Sequence, residues 1–321
     1  MKLLMGNDHN TTSLAPSAQL EQIILDSKEL SGVFNRHRIL GKIINRILLG
    51  TIQRLNVFSS NHRVGNSSGS QGGYFMVLIG PYFQKCLPHF LFRKNNSIYM
   101  FDAWPKSYDL IEAYLPLLNI RTVFFSSLQS TEAFKVRQPA LTCVWVPEGI
   151  DIKRYVSRPY CEKDIDVIQF GRKYDRYHEA IVGALEGAEK LYLYEKVKGA
   201  LVFPNREDFI DGIARAKISI CVPSNITHPE RSGNVSTMTW RYLESMAAKC
   251  LIVGILPEEM KLLFDYNPIV EIDLRDPIWQ ILSILKDFDE YVPLIERNYR
   301  TLVEQHTWSR RWEQIRPYLL G

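Results

Sequence analysis

Short apolar runs and amphipathic stretches alternate along most of this chain, and that rhythm leaves few folds open. YFMVLIG (74–80), SIYMFDAW (97–104), RTVFFSS (121–127) and LTCVWVP (141–147) read as strands, with SYDLIEAYLPLL and LQSTEAFKV as helices among them. The rhythm restarts after Arg158: IDVIQFG (165–171), KLYLYEK, KISICVP (217–223), LIVGIL and PIVEID are strands, separated by helices in YHEAIVGALEGA, EDFIDGIARA, TMTWRYLESMAA and EEMKLLF. From Pro277 to Leu320 the pattern is helical throughout. Strands alternating with helices make βαβ units and parallel sheets. The expectation is an α/β protein of two consecutive parallel-sheet halves, joined near VPEGIDIKRYVSRPY, with the cleft between them as the default ligand site.

Composition agrees with such a protein and excludes others. The 321 residues are 46% hydrophobic and 23% charged, ample for two cores, and sixteen Tyr, fifteen Phe and six Trp are foreign to disordered or fibrous chains. Asp8, His9 and Asn10 stand where a standard leader needs an apolar run, so none is expected. Nor is any run long and apolar enough to span a bilayer. Cys86, Cys143, Cys161, Cys221 and Cys250 are odd in number and form no C-x-x-C pair. They read as buried free thiols in a reducing compartment, without chemistry of their own.

The net charge of +4 conceals an asymmetry. From residue 30 to residue 101 there is no Asp or Glu, against nine Lys and Arg, which leaves the rest of the chain at −5. Inside that stretch, HRILGKIINRILLGTIQRL (37–55) sets Ile39, Leu40, Ile43, Ile44, Ile47 and Leu48 at helical spacing among basic residues. The expectation is an interior helix that buries the apolar stripe and leaves a basic side to solvent. The charge imbalance keeps an anionic membrane surface or an anionic acceptor open as a partner. Nucleic acid is not expected, since no recognised module or zinc-finger spacing accompanies the charge.

Five segments occur in an order and spacing that point to a family: VWVPEGID (144–151), VIQFGR (167–172), ARAKISICVPS (214–224), TWRYLESMAAKCLIVG (239–254) and HTWSRRWEQI (306–315). From about Val144 onward the chain resembles nucleotide-sugar-dependent glycosyltransferases of the GT-B fold, which implies an α/β protein of two Rossmann-like domains facing a cleft. It is most similar to the glycosyltransferase-4-like group and its spore-coat-type (CgeB-like) branch, which carries an R-x-x-E-x-x-A pattern. The resemblance implies transfer of a hexose-type residue from a nucleoside-diphosphate sugar, UDP or GDP foremost, to a hydroxyl acceptor. It implies a retaining outcome and no cofactor or metal. It also implies a domain of residues 1–150 for the acceptor, one of 151–305 for the donor, and a terminal helix, 306–321, that packs back on the first. The acceptor is a glycan, a lipid-linked hydroxyl or another hydroxyl, and the location cytoplasmic, with peripheral membrane contact as the charge suggests.

The same resemblance assigns residues. Gly171 and Arg172 match the family's Gly-Arg step at the donor diphosphate, where a planar guanidinium suits phosphate oxygens. The second cation is Lys173 or Arg176. Glu244 matches the carboxylate that accepts hydrogen bonds from ribose hydroxyls, and Arg241, one turn earlier, orients it or reaches phosphate. The plainer alternatives are a strand-end turn and an i,i+3 surface ion pair. Ser232, Gly233, Asn234, Val235, Ser236 and Thr237 lie in the polar loop before that helix and are candidates for phosphate or sugar contacts, with a long solvated loop as the alternative. Many relatives carry a second Glu where this chain has Ser236, so front-face attack without a protein nucleophile is implied. Two Asp-x-Asp matches, at Asp164/Asp166 and Asp287/Asp289, are read as chance.

The first half fits less well. No convincing strand is expected before Tyr74, so this domain reads as shortened or rearranged, with Gly72 and Gly73 as a substitute phosphate loop or a simple turn. His62, His89, Asp102 and Ser127 are the acceptor-side candidates. Asp102, at a strand end, is the foremost as a base, with an Asx-type cap as its alternative. Trp308 and Trp312, at i,i+4, read as packing residues and His306 as structural.

Overall fold

A computed structural model describes residues 1–6, 13, 15–55, 72–197 and 199–321, without the side chains of 53–55. The chain forms two compact units. The first holds Met1–Glu148, Arg231–Val235 and Trp308–Gly321, the second Gly149–Glu230 and Ser236–Thr307.

The first unit is built on strands β1 (Lys2–Met5), β2 (Ser31–Phe34), β3 (Tyr74–Ile79), β4 (Asn96–Phe101), β5 (Ile120–Phe125) and β6 (Thr142–Trp145), with helices α1 (Pro16–Asp26), α2 (Arg38–Leu55), α3 (Tyr108–Leu117) and α4 (Leu128–Arg137). All paired strands are parallel, in the order β2-β1-β3-β4-β5-β6. Two apolar layers, one on each face, bury Met76, Leu78, Ile98 and Phe125 and, opposite them, Phe75, Val77, Tyr99 and Phe124. Alternate residues of one strand enter opposite layers, as the pleat requires.

Two sequence expectations for this unit are corrected. An opening strand exists: KLLM pairs with β2 on one side and β3 on the other, and Leu3 and Leu4 are completely buried. A four-residue strand needs no long apolar run when both edges are paired. Gly73 is consumed by that arrangement, since its carbonyl accepts from Lys2 N–H at 3.1 Å and a Cβ there would lie 2.2 Å from the Asn95 carbonyl oxygen. It is a packing glycine rather than a phosphate loop.

The second correction concerns α2. Gly41 and Ile52 are buried and Ile44, Leu48 and Leu49 pack on the core, while Ile39, Leu40, Ile43 and Ile47 are exposed. The helix carries two apolar stripes on opposite sides, and it is the inner one, begun by Gly41 against the Gln84 and Leu87 carbonyls, that meets the sheet layer.

The second unit is built on β7 (Ile165–Gln169), β8 (Tyr192–Tyr194), β9 (Ala216–Cys221), β10 (Leu251–Gly254) and β11 (Val270–Glu271), parallel in the order β11-β10-β9-β7-β8. Its helices are α5 (Asp175–Gly187), α6 (Arg206–Ala214), α7 (Ser224–Thr227), α9 (Trp240–Ala247), α10 (Met260–Leu263), α11 (Pro277–Lys286) and α12 (Val292–Gln305); α8 (Pro229–Ser232) straddles the unit boundary. Capping sets several starts: Asn205 accepts from Asp208 N–H before α6, and Asp276 from Trp279 N–H before α11 with Pro277 following. Lys163, 3% exposed, donates to the carbonyls of Ala214, Ala216 and Ala248 at 2.7 to 3.0 Å, an ammonium buried at the amino-terminal edge of the sheet. Of the Asp-x-Asp residues, Asp164 pairs with Arg215 and Asp166 with Lys217.

The last helix, α13 (Trp308–Leu320), belongs to the first unit. Trp308 is fully buried edge-on against Tyr99 and Phe101, and Trp312 Nε1 donates to Glu29 at 2.7 Å. His306 stacks on Phe264 with ring centroids 4.7 Å apart in the second unit.

Candidate functional site

In the second unit the chain runs from β7 outward to β8 and then returns to the other side as β9. That reversal lies between adjacent parallel strands, and in open α/β sheets the crevice beyond the carboxyl ends of such strands is where ligands bind. A cavity of about 620 Å³ lies there, lined by residues that follow all three strands: Gly171, Arg172, Lys173 and Asp175 after β7, Glu195 and Lys196 after β8, Thr227 and His228 after β9, and Arg241 on α9. Four cationic side chains face two carboxylates, so the lining favours an anion. Lys173 Nζ is 3.6 Å from Asp175, but that carboxylate is well exposed and the pair holds the ammonium weakly. Helix α5 begins beside the cavity and adds the positive end of its dipole.

Gly171 is indispensable to this geometry. Its φ is +76°, and a Cβ would fall 2.1 Å from Arg241 Nη1. The Arg241 guanidinium therefore lies directly on the glycine backbone, from the first turn of a helix that is itself pinned. Tyr242 donates to the Cys221 and Ile255 carbonyls at 3.1 and 2.6 Å, tying α9 to the ends of β9 and β10, and Ser245 donates to Ser219 at 2.7 Å.

Glu244 is buried one turn beyond Arg241, with Tyr155 hydroxyl donating to its Oε1 at 3.2 Å. Burial pushes its carboxyl up to about 8, and the Tyr155 hydrogen bond and Arg241 pull in the opposite direction by less. The surface ion pair entertained from sequence is thus not what Arg241 and Glu244 make. Nearby in sequence, Ser224 Oγ at the end of β9, Thr239 Oγ1 at the cap of α9 and Trp240 Nε1 are buried without a hydrogen-bond partner among the described residues. Buried polar groups are normally satisfied, and such orphans suit a polar ligand.

Of the sequence candidates, Gly171, Arg172, Lys173 and Arg241 line one cavity, whereas Arg176 is exposed on α5 and not among its lining residues. Ser232, Gly233, Asn234 and Val235 belong to the first unit, where Gln129 Nε2 donates to the Asn234 carbonyl at 3.2 Å and Gly233 abuts Pro105. Ser236 and Thr237 have structural work in the second: Ser236 Oγ accepts from Glu258 N–H, and Thr237 Oγ1 donates to the buried Glu259, which also accepts from Met238 N–H.

In the first unit Asp102 sits just past β4 with φ +51°, a left-handed turn that Asp tolerates, its carbonyl accepting from Trp104 N–H. Ser127 caps α4 through Ser130 N–H, and His89 packs between Tyr74 and His37, with burial holding its imidazole below the usual range. His62 lies outside the described residues. Glu195, Lys196, Thr227 and His228 were not singled out in the sequence; Glu195 and Lys196 follow β8 directly and are found by that position, whereas Thr227 and His228 lie past the end of β9, at the start of the polar loop 224–239.

No known protein family matches the chain, and no curated protein is similar to it in sequence. Solved structures are similar in fold. HepE of Anabaena, in complex with UDP-glucose, superposes with a TM-score of 0.59 at 12% identity, over 99% of both chains. Sucrose-phosphate synthase of Thermosynechococcus elongatus gives 0.57 at 10% identity, over 99% of this chain and 98% of the other. TarM gives 0.52 at 10% identity over 77% of this chain, which spans 55% of TarM's length. At such identities the likeness establishes architecture: two Rossmann-like domains of the GT-B fold.

Proposed function

We propose that this GT-B-fold chain is a glycosyltransferase that moves a sugar from a nucleoside-diphosphate sugar to an acceptor hydroxyl. The observation that carries the reading is the Gly171–Arg241 contact: a guanidinium laid on a glycine turn after β7, with Arg172 and Lys173 beside it and a buried carboxylate one turn further along α9. Cations converging on a strand-to-helix turn suit a diphosphate, and a carboxylate set back from them suits a vicinal diol. HepE, similar in fold over its whole length, has been crystallised in complex with UDP-glucose, and a mutant of S. aureus TarM in complex with fondaparinux, alpha-GlcNAc-glycerol and UDP.

On this reading Gly171, Arg172, Lys173 and Arg241 hold the diphosphate and Glu244 the ribose. The second unit takes the donor and the first the acceptor, a glycan or lipid-linked hydroxyl, with Asp102 on the acceptor side. As the C1–O bond to the β-phosphate breaks, negative charge grows on the leaving oxygen, and fixed cations stabilise it more than they stabilise the ground state. The acceptor oxygen bonds C1 from the same face and passes its proton to a phosphate oxygen, which retains configuration and requires neither a protein nucleophile nor a metal. A cytoplasmic setting supplies nucleotide sugars.

The test is a metal-free thermal-shift and calorimetric screen of UDP, GDP, ADP, CMP and dTDP and their sugars on the wild type and Glu244→Ala. One nucleotide should stabilise the wild type and fail with the variant, and its sugar should be slowly hydrolysed. Binding without any turnover favours a sugar-binding subunit, and rearrangement of the sugar without transfer or hydrolysis favours an epimerase; silence from every nucleotide overturns the donor site.

A further inference from the structure

We propose that the outer face of α2 is a docking surface for an anionic lipid bilayer. Ile39, Ile43 and Ile47 follow one another at successive helical turns and are 77%, 54% and 63% exposed, with Leu40 beside them at 45%. They lie opposite the inner stripe of Gly41, Ile44, Leu48 and Ile52, so the sheet layer that anchors α2 cannot also cover them. Among the described residues this solvent-facing row belongs to neither apolar layer of the unit.

The charges around the row select the occupant. Arg38, Lys42 and Arg46 flank it and Arg36 precedes the helix; all four are exposed, and none has an ion-pair partner among the described residues. No acidic residue occurs from residue 30 to residue 101 to repel an anionic surface. An amphipathic helix lying in an interface plane buries aliphatic side chains among acyl chains and leaves its Lys and Arg at the level of the phosphates. Each such cation strengthens attachment to an anionic leaflet about fivefold. A second copy of the chain would meet the same positive charge on its own α2 face, which opposes a symmetric pairing through it. The surface shares no residue with the cavity after β7 and does not depend on the proposed chemistry.

Co-sedimentation of the full chain with phosphatidylcholine–phosphatidylglycerol vesicles and with pure phosphatidylcholine vesicles tests this directly. Binding should be at least tenfold tighter to the anionic vesicles and fall with added salt. The triple substitution Ile39→Ser, Ile43→Ser and Ile47→Ser, and separately Arg38→Gln, Lys42→Gln and Arg46→Gln, should each weaken it at least tenfold. Because every substituted side chain is exposed, melting temperatures should be unchanged, and UDP binding measured on the same variants should be unaffected. Failure of the wild type to bind anionic vesicles, equal binding to neutral ones, or undiminished binding by both variants overturns the proposal. A dimer that the apolar variant dissolves would assign the face to a second copy and overturn it equally.

Discussion

Replacing Glu244 with Gln should make the second unit more stable at neutral pH and remove a pH dependence that the wild type shows. The carboxyl is buried, accepts one hydrogen bond from Tyr155, and is raised by burial from 4.5 to about 8. Between those two values the folded chain keeps a proton that the unfolded chain releases. The stability associated with that proton is complete below about pH 4.5 and is lost as pH rises through 8, at about 1.4 kcal/mol per pH unit in between. From pH 5 to pH 7 the loss comes to about 2.5 kcal/mol, or roughly 5–10 °C in the melting temperature of a unit of this size. Gln carries no such proton, so the melting temperature of Glu244→Gln minus that of the wild type should grow by that amount over the interval. Calorimetry across pH 5 to 8.5 reads it. Parallel curves for the two proteins would show that Glu244 is ionised and compensated where it lies, and would refute the reasoning. Nucleotide binding adds a second arm: if the ribose hydroxyls donate to the ionised carboxylate, a saturating nucleotide should flatten the wild-type curve and leave the variant's slope as it was.

Gly171→Ala should cost about 1–2 kcal/mol through its left-handed φ alone and push the Arg241 guanidinium off the turn; calorimetric titration should show at least a tenfold loss of nucleotide affinity. Arg172→Gln and Lys173→Gln should each weaken nucleotide binding by about 1.5–3 kcal/mol, whereas Arg176→Gln, exposed on α5, should leave the same titration unchanged. Trp308→Ala should destabilise the first unit by about 3–5 kcal/mol in denaturant melts, because its indole fills the space against Tyr99 and Phe101.

The parallel sheets were legible because their strands are buried on both faces and so appear as nearly unbroken apolar runs; β10, LIVG, is buried at every position. Of the residues singled out through resemblance, Gly171, Arg172 and Arg241 line one cavity after β7, and Glu244 is buried one turn beyond Arg241 on α9. β1 escaped because four residues paired on both edges leave no run to detect. Lys196 and His228 escaped because the cavity gathers residues from three strand ends that are distant in sequence and adjacent only through the order of the sheet. For α2 the periodicity was right and the expected stripe divides: Ile44 and Leu48 pack on the core while Ile39, Leu40, Ile43 and Ile47 are exposed, and Gly41 lies against the Gln84 and Leu87 carbonyls, where a Cβ would fall 2.7 and 2.9 Å away. Ser236 and Thr237 show the converse, a polar loop that looked available and is spent on the backbone of Glu258 and the carboxylate of Glu259.

Residues 1–148 and 308–321 belong to the same unit, so the second unit is, in effect, an insertion between Glu148 and Trp308, itself interrupted by the excursion of Arg231–Val235. A fragment cut after Glu148 would lose α13 and bare the face that Trp308 and Trp312 cover. Splicing residue 148 to residue 308 through a flexible linker should rescue it, and the complementary piece, residues 149–307, carries the cavity lined by Gly171, Arg172 and Arg241 together with that excursion.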